Sequence, residues 1–424
     1  MAMNRPRGTA DILPGEVEKW QFVERTVRDV FGRFHYQEVR TPIFEHTELF
    51  QRGVGETTDI VEKEMYTFED RGNRSLTLRP EGTASVVRAY VENKLYGGPQ
   101  PSKLFYIGPM FRYERPQAGR QRQFHQYGVE VIGSDDPAVD AEVIMMAVAF
   151  LQEIGLKQLQ VEINSVGCSV CRAAHREHMM EHLAGVREQL CKDCQGRFER
   201  NPLRILDCKN ESCKALTKDA PTVLDHLCES CSTHFAKVRT FLDACGISYV
   251  VNPRMVRGLD YYTKTAFEII ETGIGAQSTI IGGGRYNKLV SEVGGPDTPG
   301  IGFAGGMERA ILAMQAQSVS LTFADQVDLY VIGLGPKAET QAVQLLQSLR
   351  TEGFRADKDY AGRGMKAQLK TADRLQAKFT VVIGEEELQK GAAVVKTMAS
   401  GEQQHVPFAD IGSYCKKHLG GEIK

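Results

Sequence analysis

Two strand-like runs on either side of a loop rich in arginine, glutamine and glycine place the tightest constraint on the fold. Residues 103–108 form an apolar run and residues 124–132 alternate apolar and polar side chains, which is typical of two antiparallel strands joined by a loop. Between residues 112 and 122 the loop holds four arginines and one glutamate. Since arginine is almost never buried without a partner, this loop is predicted to lie outside the core.

The polar side chains of these strands suggest a binding surface. Arg112, Gln126 and Glu130 are separated by even numbers of residues, so they are predicted to share one face of the sheet. A polar sheet face of this kind requires a polar ligand. The planar guanidinium group of arginine forms paired hydrogen bonds with phosphate and carboxylate groups. The alternative is a solvated hairpin with surface ion pairs, since charged exposed hairpins are common.

Length and charge limit the class of protein. A chain of 424 residues predicts two or three domains. The net charge of -2 excludes a general basic field that attracts nucleic acid, so any RNA binding must use local patches. We find no apolar stretch long enough to span a bilayer and no apolar leader at the start of the sequence, which predicts a cytoplasmic protein.

The first part of the chain predicts a helix, a strand and then a strand-to-helix turn. Apolar residues recur at helical spacing over residues 15–35, and a short strand, residues 36–40, ends before Pro42. Glu81 and Thr83 lie where a strand meets the helix predicted for residues 82–95. Backbone donors there attract anions, and a glutamate there is suited to an amine. The alternative for Glu81 is a helix-start carboxylate favoured by the dipole.

Two glycine-rich stretches follow farther along the chain. Residues 282–284 are three consecutive glycines before an Arg-Tyr pair, which allows either close backbone approach or a flexible turn. Residues 300–309 lead into a helix predicted from residue 307 to residue 314. Arg309 lies in the first turn of that helix, where the dipole disfavours a cation. This placement indicates either an anionic ligand or a structural ion pair.

Paired cysteines characterise the segment between residues 165 and 245, which holds nine of the ten cysteines. Three of the four pairs have two intervening residues, a spacing that lets two thiolates bind one zinc ion. Four pairs are enough for one or two sites of four thiolates, and the alternative is eight reduced thiols. The candidate ligands are Cys168, Cys171, Cys191, Cys194, Cys208, Cys213, Cys228 and Cys231. The surrounding sequence is charged and helical, which predicts an inserted helical subdomain.

The last hundred residues predict a separate α/β domain after a linker at residues 315–324. Strands are predicted at residues 327–332, 379–383 and 392–397, with helices at residues 337–353 and 364–376 between them. In the second helix Met365, Leu369 and Ala372 are predicted to point inward. Residues 350–378 hold eight basic and four acidic residues, which indicates either an RNA patch or a solvated face.

Taken together, these segments resemble the class II aminoacyl-tRNA synthetases, and within that class the histidyl-tRNA synthetase family. Residues 111–114 and the following loop resemble motif 2, and residues 300–309 resemble motif 3. Pro42 resembles the motif 1 proline at the dimer interface. Residues 257–262 and 282–286 resemble the two signatures specific for histidine. The resemblance covers nearly the whole chain, with five motifs in family order.

The resemblance implies ATP-dependent activation of L-histidine to histidyl-adenylate, followed by transfer to the 3′ end of tRNA(His). It implies Arg112, Arg257 and Arg309 as catalytic residues against the phosphates. It implies Arg112, Glu114, Arg120, Phe124 and Arg309 as the ATP-binding residues. For histidine it implies Glu81, Thr83 and Gln126 at the α-amino group, Glu130 and Tyr262 at the imidazole, and Tyr261 and Tyr286 in the pocket wall.

The expected fold is an α+β catalytic domain built on an antiparallel sheet, residues 1–324, with a cysteine-rich helical insertion at residues 168–245. A C-terminal α/β domain of the anticodon-binding kind is expected at residues 325–424. The expected partners are tRNA(His), L-histidine, ATP with Mg²⁺, and a second copy of the chain. The family's activity does not imply zinc, so zinc in the insertion is predicted from spacing alone. The alternative is a histidine-binding regulatory paralogue of ATP phosphoribosyltransferase, which lacks the C-terminal domain and parts of the signatures.

Overall fold

The computed structural model describes residues 3–55, 58, 60–200, 202–206, 208, 210–256, 261–273, 279–321 and 327–419. The chain divides into two compact units, Met1–Leu321 and Thr322–Lys424. Each unit has its own hydrophobic core. Among the described residues, no helix is both long and apolar enough to cross a membrane.

The first unit contains strands in two sheets. They are β1 (Gln37–Glu38), β2 (Phe44–His46), β3 (Tyr66–Glu69), β4 (Ser75–Leu78), β5 (Ser102–Phe111), β6 (Gln123–Ile132), β7 (Leu159–Ser165), β8 (Val250–Val251), β9 (Thr263–Glu271), β10 (Thr279–Arg285) and β11 (Gly300–Gly306). The large sheet has the order β1-β5-β6-β11-β10-β9-β7-β8, and β2-β4-β3 form the small one. Only the outer pairs of the large sheet, β1 with β5 and β7 with β8, are parallel among the described pairs.

The helices of the first unit cover one face of the large sheet, build the insertion and flank the small sheet. They are α1 (Val17–Arg33), α2 (Thr47–Val54), α3 (Thr83–Glu92), α4 (Pro137–Glu153), α5 (Ser169–Ala184), α6 (Lys192–Arg200), α7 (Glu211–Leu216), α8 (Glu229–Ala244), α9 (Leu289–Glu292) and α10 (Met307–Ala316). Helix α4 begins where its sequence favours a start, because Pro137 occupies the first turn and Asp136 accepts the backbone N–H of Ala138 at 2.9 Å.

The hairpin of β5 and β6 divides its side chains between two faces, as the alternation predicts. The strands pair without interruption from Ser102 opposite Ile132 to Phe111 opposite Gln123. Tyr127, Val129 and Val131 pack into the main core with α1 and α4. The residues that alternate with them leave the other face of β6 polar, and this polar face lines the cavity described below.

The second unit is an α/β fold whose sheet has the order β13-β12-β14-β15-β16. Its strands are β12 (Leu329–Gly333), β13 (Ala356–Lys358), β14 (Phe379–Ile383), β15 (Ala392–Thr397) and β16 (Gln403–Pro407). Its helices are α11 (Pro336–Thr351), α12 (Met365–Arg374), α13 (Glu385–Lys390) and α14 (Ile411–His418). The predicted fold class is thus confirmed for both units. The inward placement of Met365 was wrong, since its side chain is 42% exposed at the first residue of α12.

A buried ionic cluster joins four elements of the first unit. The Asp140 carboxylate on α4 lies 2.6 Å from the Arg285 guanidinium on β10, and both side chains are fully buried. The same carboxylate lies 2.8 Å from His234 Nε2 on α8 and accepts the Thr265 hydroxyl of β9 at 2.6 Å. Arg285 also donates to the carbonyl oxygen of Ser134 at 2.8 Å. The cluster therefore connects α8, the last helix of the insertion, to the sheet next to Tyr286, which is the residue that follows Arg285.

We predict that Asp140→Ala lowers the thermal midpoint of the first unit strongly. The change removes the buried carboxylate partner of Arg285 and leaves the half-exposed Asp135 at 3.4 Å, and breaking a buried ion pair typically costs about 3–5 kcal/mol. The matched control is Asp297→Ala, because Asp297 pairs with Lys288 at 3.5 Å on an exposed surface and such pairs contribute about 0–1 kcal/mol. Differential scanning calorimetry measures both variants, and equal shifts would show that the buried cluster does not stabilise the unit.

Candidate active site

A cavity of about 500 Å³ lies against the polar face of β6, a size typical of small-molecule sites. Its walls come from β6, β9, β10 and β11, from the starts of α3 and α10, and from the loop between β5 and β6. Every predicted histidine- or ATP-binding residue within the described part of the chain lines it: Glu81, Thr83, Arg112, Glu114, Arg120, Phe124, Gln126, Glu130, Tyr261, Tyr262, Tyr286 and Arg309.

Glu130 is a fully buried carboxylate in the cavity wall. Tyr286 donates its hydroxyl to Glu130 Oε2 at 2.5 Å, while Oε1 is buried without a hydrogen-bond partner. Burial raises the pKa of Glu130 to about 8, an effect that the Tyr286 and Thr83 hydroxyls partly offset. A buried acceptor with an unused lone pair suits a ligand that brings an N–H group.

Glycine makes the position of this carboxylate possible. Gly302 on β11 pairs with Glu130 across the sheet, and a Cβ atom there would lie 2.1 Å from Glu130 Oε2. The triple glycine also serves packing rather than a flexible turn, because a Cβ on Gly284 would lie 2.9 Å from the Tyr262 ring. Tyr261 packs against both neighbours, with ring centroids 4.8 Å from Tyr262 and 5.9 Å from Tyr286.

Glu81 lies at the start of α3 and also faces the cavity. Its two carboxylate oxygens accept the backbone N–H groups of Thr83 and Ala84 at 2.8 Å each, so it caps the start of α3. It also lines the cavity, and burial is the largest cause of its raised pKa. A carboxylate has about four lone-pair sites, so acceptors remain for an amine.

Three arginines converge on the cavity. Arg112 donates Nε to the carbonyl oxygen of Pro80 at 2.8 Å and lies over the Phe124 ring. Arg120 donates to the Glu114 carboxylate at 3.0 Å. Burial lowers the pKa of Arg309, and the nearby cations Arg120 and Arg112 lower it further. Like charges brought together around one cavity favour an anionic ligand with several oxygens.

Comparison with known proteins gives the family. The family model described as "Histidyl-tRNA synthetase" matches residues 8–310, and the model "Anticodon binding domain" matches residues 328–418. Histidine--tRNA ligase of Desulforamulus reducens is 59% identical over 98% of this chain and 99% of its own length. That of Geobacillus sp. (strain WCH70) is 56% identical over 99% of this chain and 100% of its own length.

A solved structure agrees with these sequence matches. Apo histidyl-tRNA synthetase of S. aureus superposes with a TM-score of 0.84 at 43% identity, covering 98% of this chain and 100% of that chain. The chain belongs to the histidyl-tRNA synthetase family. The resemblance predicted from the motifs is therefore confirmed.

The paralogue alternative is less supported. An ATP phosphoribosyltransferase regulatory subunit/histidyl-tRNA synthetase from Bacillus halodurans C has a TM-score of 0.65 at 22% identity, which shows a shared fold alone. The residue roles within the synthetase-family site stay predictions. Arg257 is one of them, and it lies outside the residues that the structure describes.

Four polar residues of the cavity were missed in the sequence: Gln121, Glu268, Thr279 and Glu308. Glu268 on β9 accepts the Thr279 hydroxyl of β10 at 2.9 Å, and both line the cavity. Glu308 lines it from the start of α10 and accepts the backbone N–H of His125 at 2.9 Å. Glu308 precedes Arg309 in motif 3, so the motif could have identified it as a site residue. Glu268 lies in a strand whose apolar and polar side chains alternate in the usual way, so its sequence context does not distinguish it.

The predicted metal ligands also come together, away from the cavity. The structure sorts the eight cysteines into two groups of four, each with its sulfur atoms within 4.8 Å of one another. The first group is Cys168, Cys171, Cys228 and Cys231, and the second is Cys191, Cys194, Cys208 and Cys213. Both groups could hold a metal ion, and zinc itself stays a proposal.

We predict that Glu130→Gln makes the free energy of unfolding less dependent on pH. The folded pKa of Glu130, about 8, exceeds its ordinary value of 4.5. Its contribution to stability is therefore fully present below about pH 4.5 and is lost as the pH rises through about 8. Glutamine does not ionise, so the variant does not lose this stability. Its free energy of unfolding therefore rises relative to that of the wild type by up to about 1.4 kcal/mol per pH unit across that window.

Denaturant unfolding between pH 5 and pH 9 measures this difference. Glu181→Gln, at an exposed position of α5, is the control and should track the wild type. Parallel curves for the wild type and Glu130→Gln would contradict the buried, proton-binding carboxylate.

Proposed function

We propose that this chain joins L-histidine to tRNA(His) in two steps. In the first, a histidine carboxylate oxygen attacks the α-phosphorus of ATP, which forms histidyl-adenylate and releases pyrophosphate. In the second, the terminal adenosine hydroxyl of the tRNA attacks the histidyl carbonyl carbon, loses its proton and displaces AMP. The observation that supports the proposal is that one cavity contains the three convergent arginines and also the buried Glu130–Tyr286 pair.

The arginines suit the first step. Arg112 stabilises the negative charge that develops on the α-phosphate, and Arg257, which the family motif implies as a second catalytic arginine, acts on the same group. Arg309 and Arg120 bind the outer phosphates of ATP. Preorganised cations need no rearrangement when charge develops, so positioning and electrostatics supply most of the acceleration.

The remaining cavity residues recognise adenine and the amino acid. Glu114 and Phe124 contact adenine. The α-amino group of histidine is bound by Glu81, Thr83 and Gln126, whose buried Oε1 has no hydrogen-bond partner. Tyr261 and Tyr286 line the pocket, and Tyr262 and Glu130 bind the two ring nitrogens.

Magnesium is part of the ATP substrate in this proposal. The carboxylates of Glu114, Glu268 and Glu308 line the same cavity as the arginines, and carboxylate oxygens are ligands that Mg²⁺ prefers. The ion would reduce repulsion between the phosphates and the attacking carboxylate. Zinc in the insertion takes no part in this reaction.

A second copy of the chain and the tRNA complete the proposed partners. Beside the exposed Pro42, the side chains of Ile43, Phe44 and Phe68 are 46%, 50% and 44% exposed, so this apolar surface fits a homodimer contact. The unit that matches the anticodon-binding model, with its basic residues between 350 and 378, is proposed to bind the anticodon of tRNA(His). We also propose that the protein works in the cytoplasm.

Amino-acid-dependent exchange of pyrophosphate into ATP tests the function. Exchange should require histidine and Mg²⁺, whereas a regulatory paralogue binds histidine without exchange. Equal exchange with other amino acids, or none with histidine, would overturn the proposal.

The same assay tests Arg112. Arg112→Lys keeps the charge and loses the planar fork, so exchange should fall roughly a hundredfold, the scale of losing one preorganised donor. Arg115→Lys is the matched control, because Arg115 lies in the same loop but is exposed and outside the cavity wall. An unchanged rate in Arg112→Lys would exclude a catalytic role for its guanidinium.

A further inference from the structure

The eight paired cysteines of the insertion fall into two groups at different places in the fold. The base cluster, Cys168, Cys171, Cys228 and Cys231, lies where the insertion leaves and rejoins the sheet domain. The inner cluster, Cys191, Cys194, Cys208 and Cys213, lies within the insertion. All eight are free thiols rather than disulfides, and neither group contributes to the cavity described above.

The sulfur spacing matches tetrahedral coordination of a single ion. Cys168 Sγ lies 3.6 Å from Cys171 Sγ and 3.9 Å from Cys228 Sγ, and Cys191 Sγ lies 3.8 Å from Cys208 Sγ. Four sulfur atoms bound about 2.3 Å from one zinc ion are about 3.8 Å apart. A disulfide would require about 2.05 Å, and an iron–sulfur cluster of several metals would hold the thiolates farther apart.

Backbone geometry at the base cluster favours thiolates. Cys168 and Cys228 immediately precede α5 and α8, and Cys171 and Cys231 lie in the first turns of those helices. Two helix N-termini therefore meet at one group of sulfur atoms, and their dipoles stabilise negative charge. The Cys228 backbone N–H also donates to Cys171 Sγ at 3.1 Å.

At the inner cluster, too, a backbone N–H donates to a sulfur atom, and the surrounding secondary-structure elements are short. The Cys191 backbone N–H donates to Cys213 Sγ at 3.2 Å. The elements around it are short, since α6 has 9 residues and α7 has 6. Cys194, Cys208 and Cys213 are three of the ten buried residues of the local core. Segments this small rarely bury enough apolar surface to fold alone, and a structural metal commonly compensates.

We propose that the insertion carries two structural zinc centres, one at the base cluster and one at the inner cluster. Each has four thiolates and no open position, so each is structural rather than catalytic. The base centre fixes the start of α8, whose Cys231 and His234 lie three residues apart on one helix face. Because His234 contacts Asp140 at 2.8 Å, the base centre also anchors the insertion on the buried ionic cluster of the sheet domain.

Metal analysis of the intact chain tests the proposal. Protein purified without chelator and supplied with zinc under reducing conditions should hold two zinc ions per chain by inductively coupled plasma mass spectrometry. A mercurial reagent should release both ions as eight thiols react. Zero or one zinc ion, iron in place of zinc, or thiols that react without zinc release would overturn the two-centre proposal.

Paired variants assign each ion to its cluster. Cys168→Ser with Cys228→Ser should leave one zinc ion, and so should Cys191→Ser with Cys208→Ser. Cys245→Ser is the matched control and should keep two, because Cys245 is an exposed cysteine outside both clusters. Should a paired variant fail to fold, cobalt titration of the wild type decides instead. The visible absorption of tetrahedral cobalt thiolate should saturate at two equivalents, and saturation at one, or no absorption, would contradict the proposal.

Discussion

The hydrogen bond between Glu130 and Tyr286, 2.5 Å long in a fully buried setting, is the interaction on which the rest of the site depends. It joins the central strand β6 to the end of β10 and places a carboxylate where burial raises its pKa to about 8. Gly302 is required opposite it, because any side chain there would occupy the space of the carboxylate. Glycine at position 302 therefore leaves room for a buried carboxylate in the cavity wall.

The ionic cluster beside this pair explains how the backbone next to Tyr286 is held. Arg285 is bonded to Asp140 and to backbone carbonyls, which holds the backbone beside Tyr286 in place. Asp140 also contacts His234 on α8, the last helix of the cysteine-rich insertion. Insertion, sheet and pocket thus share one buried carboxylate, and this links the folding of the insertion to the geometry of the candidate site.

Periodicity and motifs predicted much of this from the sequence. The alternation around Gln126 and Glu130 predicted their shared face, because side-chain direction in a strand depends only on local spacing. The role of Arg285 was not predictable, since its partner Asp140 lies on a helix far away in sequence. The grouping of eight cysteines into fours was likewise open, because spacing within a pair does not determine which pairs meet. The start of the helix that holds Met365 was predicted to within one residue, but periodicity does not show whether the first turn of a helix packs against the core.

Binding of two amino acids to the free protein tests the central proposal, that the cavity recognises an imidazole through Glu130 and Tyr262, with Tyr286 holding the Glu130 carboxylate. Isothermal titration calorimetry should compare L-histidine with β-(2-thienyl)-L-alanine, which has a ring of similar size without nitrogen. A site built on buried hydrogen bonds rejects an analogue that lacks them by about 10⁴-fold or more, so the thienyl compound should show no detectable binding where histidine binds. Comparable affinity for the two compounds would contradict the account.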